Sequence, residues 1–188
     1  AQLAYLAAGL HDLGKADQRW QAKIRIIDDK ITTDDLIGRS NSSGGNLKKK
    51  VKLPPHTPPA YPAIVKAAEL LIGDSDDHRY LVKAIALAAA RHHSSLLNPA
   101  LNDSSRYQFQ PSEKTDDFIK EILKLVNAPE SVLSRTSELL LASQQKPNED
   151  DIPLLFPNDD LFPIYALVGR AILLADREDA SGTKKEWI

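Results

Sequence analysis

Residues 9–21 read GLHDLGKADQRWQ, and their first two residues are the end of the apolar run LAYLAAGL of residues 3–10. One face of this run, at helical spacing, carries Leu3, Ala7, Leu10 and His11. The pattern predicts a helix over residues 3–13 whose apolar face ends in an imidazole. Gly14 is then the predicted helix stop. A histidine beside an aspartate at the end of an apolar face calls for a chemical explanation.

The rest of the chain continues the helical pattern. Apolar spacing stays near 3.6 residues, and no segment alternates with the period of two that a half-buried strand shows. The predicted helices cover residues 3–13, 17–27, 59–72, 74–93, 115–126, 130–143 and 161–179. Residues 28–55, rich in Gly, Ser and Pro, predict a flexible loop, and residues 98–114 predict another. The sequence therefore predicts an all-α helical bundle with long irregular loops, forming a single domain over residues 1–188.

The composition limits what the protein can be. Its 188 residues are 42% hydrophobic and 27% charged, with a formal net charge of −2, so no overall basic field indicates a nucleic-acid binder. No apolar run approaches the length of a membrane span, and no signal-peptide pattern is present. There is no cysteine, which fits a cytoplasmic location and excludes thiolate metal sites. A metal would have to be held by histidine and carboxylate.

Three separate predicted helices place a histidine or an aspartate on an apolar face. These residues are His11, the pair His92 and His93, and Asp176. Each alone has a simple structural explanation: a core histidine bonded to a backbone carbonyl, or an aspartate paired with Arg177 or with a core histidine. Together they favour a metal site, because a buried carboxylate needs a cation and neutral imidazole suits divalent transition metals.

The order of these motifs resembles a known superfamily. HDLGK at residues 11–15, RHH at residues 91–93 and a late helical aspartate together resemble the HD superfamily of metal-dependent phosphohydrolases. Within it, AAGLHDLGKADQRWQ, AIALAAARHHSSL and GRAILLADRED look most like the HD nuclease domain of the CRISPR-associated helicase-nuclease of type I systems. The similarity extends from residue 1 to about residue 180, and the HD-domain helical bundle is the fold it implies.

The resemblance implies a site for two divalent transition metal ions, with Mn, Co, Ni or Fe expected and Mg as a further candidate. The implied ligands of one ion are His11, Asp12 and Asp176. Asp12 would bridge to a second ion, whose other implied ligands are His56, His92 and His93. The alternative for His56, in KLPPHTPPAYP, is an ordinary loop histidine. Lys15 is the implied catalytic partner of Asp12 and would neutralise a substrate phosphate, unless it is simply an exposed lysine at a helix end.

One departure from the family concerns the start of the chain. The family has another ligand histidine on a helix well upstream of the HD pair. This chain begins at Ala1, without a methionine, and Gln2 is the only polar side chain before His11. We therefore expect that an upstream part of the domain is missing, or that one metal ion is bound poorly.

The predicted function is a metal-dependent nuclease that degrades single-stranded DNA by phosphodiester hydrolysis in type I CRISPR antiviral interference. The implied partners are single-stranded DNA, a helicase domain or subunit, and an RNA-guided surveillance complex, with no membrane. The chain has no GxxxxGK[ST] loop, so the motor would lie elsewhere. The alternatives are a phosphohydrolase acting on nucleotides or cyclic nucleotides, and a non-enzymatic scaffold. The sequence SSLLNPAL after the histidine pair, in place of Gly-Tyr-Pro, argues against the cyclic-dinucleotide branch.

DNA contacts are the least specific prediction. The candidates are Lys48, Lys49, Lys50, Lys52 and Arg91, with Arg19, Trp20 and Arg106 as further ones. A lysine run could guide a phosphate backbone, but such runs are commonly just solvated loop. Trp20 is expected to be packed rather than stacked on a base.

Overall fold

The computed structural model of the protein describes residues 1–27, 36–37, 53–54, 56–93, 108–146 and 159–181. Within these ranges the regular structure is helical and contains no strand, which confirms the all-α prediction. The elements are α1 (Gln2–Leu10), a 3-10 helix (Leu13–Ala16), α2 (Gln18–Ile27), α3 (Ala60–Ile72), α4 (Asp76–Ala90), α5 (Thr115–Leu125), α6 (Glu130–Leu133), α7 (Thr136–Gln144) and α8 (Phe162–Ser181).

The centre of the bundle is the hairpin of α3 and α4. Helix α1 packs against both, α7 lies on α3, α8 lies on α4, and α5 lies against α1 and α7. The last seven residues of α4, residues 84–90, are all buried, and five of them are alanines. Such small side chains let the neighbouring helices approach closely. The buried end of α4 therefore lies where several helices meet.

Gly73 ends α3 and starts the tight turn into α4. Its φ of 82° lies in the region that favours glycine, and its N–H donates to the carbonyl of Glu69 at 2.9 Å. The turn makes α3 and α4 antiparallel, so the residues before α3 lie near the residues after α4. This relationship brings two distant parts of the sequence to one end of the bundle.

Three predicted helix boundaries are wrong. The helix predicted over residues 74–93 ends at Ala90, so His92 and His93 lie in the turn that follows it rather than on the helix. Helix α1 ends at Leu10 rather than at residue 13, and Gly14 lies inside the following 3-10 helix. The helix predicted over residues 130–143 is broken into α6 and α7 by a turn at Ser134 and Arg135. Val132 and Leu139 are both buried, on either side of the break. The apolar pattern therefore runs through the turn and hides it.

A smaller apolar cluster lies apart from the main core. Trp20, Ile24 and Ile27 of α2 are buried together, with Ile37 and Leu53 packed against them. The prediction that Trp20 is packed is confirmed. Most of the predicted loop over residues 28–55 lies outside the described residues. No helix in the described ranges is both long enough and apolar enough to cross a membrane.

Candidate metal centre

The predicted metal ligands come from four places in the chain that the bundle brings to one end. His11 and Asp12 lie between α1 and the 3-10 helix, and His56 precedes α3 by four residues. His92 and His93 lie in the turn that follows the buried end of α4, while Asp176 lies on α8. Because α1 and α8 both pack on α4, the side chains converge there.

Two groups of ligand atoms form at this point. One group consists of Asp12, His56, His92 and His93, and the other of His11, Asp12 and Asp176. Within each group the candidate atoms all lie within 4.8 Å of one another. The structure thus brings together all six residues that the resemblance implied, which are called the metal-site residues below. Their role as ligands remains a prediction.

Asp12 belongs to both groups, and its two oxygens face different partners. Its Oδ2 lies 3.3 Å from Nε2 of His11 and accepts a hydrogen bond from the ammonium of Lys15. Its Oδ1 lies 3.4 Å from Nε2 of His56. Burial alone would raise the pKa of Asp12, but the hydrogen bonds and charges of His11 and Lys15 outweigh it and hold the pKa far below its usual range. Asp12 is therefore a carboxylate at any physiological pH.

His11 and His92 are held in the same way. The Nδ1–H of His11 donates to the carbonyl of Ala8, and that of His92 to the carbonyl of Ala89, both at 2.6 Å. In the neutral ring this leaves the lone pair on Nε2, the arrangement typical of metal-binding histidines. The alternative of a core histidine bonded to a backbone carbonyl is thus correct for Nδ1 of both rings. It does not account for Nε2 of His92, which has no hydrogen-bond partner, whereas Nε2 of His11 faces Oδ2 of Asp12.

Three buried atoms at the centre have no hydrogen-bond partner. They are Oδ1 of Asp12, Nε2 of His56 and Nε2 of His92. Leaving a buried polar atom unpaired costs about 1–3 kcal/mol, so these atoms fit a site that is completed by a ligand. A divalent ion would satisfy all three, because carboxylate oxygens and imidazole nitrogens are ligands that such ions bind. The donor set present therefore fits the implied metals.

Burial keeps two of the histidines, His56 and His92, in the neutral form. It lowers the pKa of His56 to about 4, with Lys15 and the neighbouring histidines adding to the effect against the pull of Asp12. Burial similarly lowers the pKa of His92 to about 4. For His11, burial is outweighed by its hydrogen bond to Asp12 and the charge of Asp12, which raise its pKa. His56 and His92 are thus neutral at neutral pH, as a metal ligand must be.

The site opens to solvent on one side. The side chain of His93 is 41% exposed, and its Nε2 lies 3.8 Å from Oδ2 of Asp176. The His92 ring, by contrast, is buried between neighbours, with ring centroids 4.7 Å from His11 and 3.9 Å from His93. A phosphate could approach the site from the His93 side.

The predicted DNA contacts are only partly within the described residues. The lysines of the run, Lys48, Lys49, Lys50 and Lys52, and Arg106 lie outside them. Arg91 is buried, with 5% of its surface exposed, and its Nε has no hydrogen-bond partner. Arg19 forms an ion pair with Asp17. Contacts of these residues with DNA remain predictions.

Sequence reasoning missed the role of Asp17. Its side chain is fully buried and accepts hydrogen bonds from the guanidinium of Arg19 at 2.8 and 3.0 Å and from the backbone N–H of Arg19 and of Gln110 at 2.8 and 2.9 Å. It joins the start of α2 to the segment before α5. An aspartate just before a helix is a common N-terminal cap, so this position was recognisable from the sequence.

Sequence reasoning also missed the reason for Gly14. Its backbone φ is not in the left-handed region, so it does not end α1 as a helix-stop glycine would. Its N–H donates instead to the carbonyl of His56 at 3.0 Å, and its Cα faces the backbone of His56. The glycine is needed for a close contact between two chain segments, which no local pattern reveals.

The comparisons with known proteins agree with this geometry. The family described as Cas3, HD domain, matches residues 1–157, most of the chain, although Asp176 lies beyond the match. No curated protein and no solved structure matches the chain. The family is one of metal-dependent HD nucleases that act together with a helicase domain and a CRISPR complex. With its helical bundle and its cluster of histidines and aspartates, the chain belongs to the Cas3 HD-domain family.

Proposed function

We propose that the protein degrades single-stranded DNA by metal-dependent phosphodiester hydrolysis in type I CRISPR interference. The observation that carries the proposal is the position of Asp12 between two groups of ligand atoms, one oxygen facing each way. A carboxylate has two oxygens, so it can serve two ions at once, whereas the lone pair of an imidazole serves one. We propose two ions of Mn, Co, Ni, Fe or Mg as the cofactors.

The residues of the site would then have different roles in the reaction. Bound divalent ions supply a water of lowered pKa and positive charge against the reacting phosphate. His11 and His92 present Nε2 in a fixed orientation because their Nδ1 atoms are tied to backbone carbonyls. Lys15 lies beside Asp12, where its ammonium would neutralise an oxygen of the substrate phosphate. No separate nucleophilic side chain is required.

The proposed partners follow from the family. A helicase domain or subunit would deliver the single strand, and an RNA-guided surveillance complex would recruit the nuclease. The proposed location is the cytoplasm. The lysine run before His56 would contact the strand, and binding would then weaken steeply as salt increases.

The test is cleavage of labelled single-stranded DNA with Mn²⁺, Co²⁺ or Ni²⁺, beside a panel of nucleotides and cyclic nucleotides. The key variant is Asp12→Asn, which keeps the shape of the side chain but removes its charge. The matched control is Asp77→Asn, an exposed aspartate at the opposite end of α4. DNA cleavage that is lost only in Asp12→Asn supports the proposal. Turnover of nucleotides with intact DNA would instead establish the phosphohydrolase, and full DNA cleavage by Asp12→Asn would refute the metal mechanism.

A further inference from the structure

Gly14 and His56 are far apart in the sequence but their backbones touch. The N–H of Gly14 donates to the carbonyl of His56 at 3.0 Å. A Cβ added at Gly14 would lie 2.2 Å from that oxygen and 2.6 Å from the carbonyl carbon and the Cα of His56. All three are backbone atoms, so no rotation of a side chain can relieve the overlap.

The contact between Gly14 and His56 joins two chain segments that each carry a metal-site residue. Gly14 follows Asp12 by two residues, inside the 3-10 helix in which the N–H of Lys15 donates to the carbonyl of Asp12 at 2.8 Å. The position of Gly14 relative to Asp12 is therefore fixed by the backbone. On the other side, the backbone of His56 carries the imidazole whose Nε2 lies 3.4 Å from Oδ1 of Asp12.

We propose that Gly14 is a positioning residue: by admitting the backbone of His56, it sets the His56 imidazole against Asp12 and so completes the group Asp12, His56, His92 and His93. The inference rests on the proposed function and adds a residue that is not itself a ligand. The other group, formed by His11, Asp12 and Asp176, does not contain His56. Loss of the contact therefore affects one metal ion and spares the other.

The size of the effect follows from the overlap. To restore an ordinary van der Waals contact, a Cβ at residue 14 would have to move from 2.2 Å to at least 3.4 Å from the carbonyl oxygen of His56. The backbone of His56 would therefore shift by about 1 Å, whereas metal–ligand distances tolerate about 0.2 Å. We expect Gly14→Ala to weaken the second ion at least 10-fold, comparable to the loss of an orienting partner.

The experiment measures Mn²⁺ binding to the purified protein from the free-ion EPR signal. We expect two ions for the wild type and one for Gly14→Ala. Gly169→Ala is the matched control, because its Cβ would meet Ala88 at an ordinary 3.8 Å. Gly73→Ala controls for lost stability, because the strain of its φ of 82° arises at the far end of α3. Two ions bound by Gly14→Ala with wild-type affinity would overturn the proposal. An equal loss of Mn²⁺ binding in Gly73→Ala would overturn it as well.

A double variant separates positioning from general structure. His56→Ala should itself lose one ion, and Gly14→Ala added to His56→Ala should cost nothing more in Mn²⁺ binding. Loss of the remaining ion in the double variant would mean that Gly14 supports the whole site, and would overturn the selective role.

The failure of the proposed function is recognised separately. If the wild type binds no Mn²⁺, the proposed function fails. The contact between Gly14 and His56 is then tested in the metal-free protein by the NOE between the Hα protons of Gly14 and the backbone protons of His56. The NOE should be strong in the wild type and in Gly169→Ala and lost in Gly14→Ala; its absence from the wild type would overturn the inference.

Discussion

Nε2 of His93 lies 3.8 Å from Oδ2 of Asp176, so the end of α4 and the last described helix meet across the open side of the metal site. The two residues belong to different ligand groups, which share only Asp12. Metal binding to each group can therefore be removed separately by substitution, and the effect on ion binding and on DNA cleavage can be measured.

Asp176→Asn should empty the group that contains His11. We expect Mn²⁺ binding to fall from two ions to one and DNA cleavage to fall at least about 100-fold, because an amide is a much poorer ligand than a carboxylate. Mn²⁺ titration and initial rates measure the two effects. Asp160→Asn, an exposed aspartate just before α8, is the control. Two ions bound by Asp176→Asn would remove Asp176 from the site.

Lys15→Met should strengthen metal binding and weaken catalysis. The ammonium of Lys15 occupies Oδ2 of Asp12, an oxygen that an ion needs, so removing its charge removes a competitor. For a partly exposed pair we expect a gain in Mn²⁺ affinity of about threefold to tenfold. Isothermal titration measures the affinity, and cleavage rates measure the accompanying loss. Lys15→Arg, which keeps the charge, should show little gain; weaker Mn²⁺ binding by Lys15→Met would contradict the explanation.

Removing the metal should destabilise the protein. Ions that bind only the folded state stabilise it by about 2.7 kcal/mol per site when the free ion is at 100 times its dissociation constant. Thermal unfolding with Mn²⁺ and then with a chelator should show a clear fall in Tm for the wild type. Asp12→Asn should show no such fall, and a metal-dependent Tm in that variant would mean that the ion binds elsewhere.

Asp17→Asn should lower stability without changing the number of bound ions. It removes the charge that pairs with Arg19, whose side chain is 38% exposed, and leaves one acceptor oxygen in place of two. The buried hydrogen bond that is lost should cost about 1–3 kcal/mol. Urea unfolding measures the loss, and Asp116→Asn is a matched aspartate on α5 with a surface partner, Lys120. Loss of an ion in Asp17→Asn would mean that Asp17 also shapes the site.

Asp17 should also make the stability of the protein depend on pH. Burial alone would raise the pKa of Asp17, but the hydrogen bonds and charge of Arg19 and the N–H of Gln110 outweigh it and lower the pKa. A carboxyl group whose pKa is lower in the folded than in the unfolded protein stabilises the fold at pH values above its unfolded pKa of 3.8. This stabilisation is lost as the pH falls through the pKa of the folded protein. The stability gap between wild type and Asp17→Asn should therefore narrow below about pH 4. A gap that is constant from pH 7 to pH 3 would contradict this assignment.

The helical architecture was predictable because it depends on local periodicity. Ile172 is buried on the same face that carries Asp176 four residues later, as the spacing indicated. His92, likewise placed on an apolar face, is buried. The turn at Ser134 and Arg135 was not predictable, because the buried positions keep their spacing on both sides of it.

Much of the candidate site was also predictable, partly from the helical periodicity and partly through the resemblance alone. Periodicity selected His11, His92, His93 and Asp176, while His56 lies in an irregular segment and was selected by its place in the family pattern alone. What the sequence could not show is how His56 reaches Asp12. That depends on a contact between two backbones 42 residues apart, and its only trace in the sequence is a glycine that also looks like a helix stop.

The charge of the metal site has a consequence for the order of binding. Without ions, the negative charges of Asp12 and Asp176 face the positive charge of Lys15 and that of His11, whose pKa is raised by Asp12, so the site has no excess of positive charge. In this state the site does not attract a phosphodiester. Two divalent ions would make the site strongly positive, so a nucleic-acid strand would bind productively only after the ions. Metal supply would then control access of the substrate as well as the chemical step.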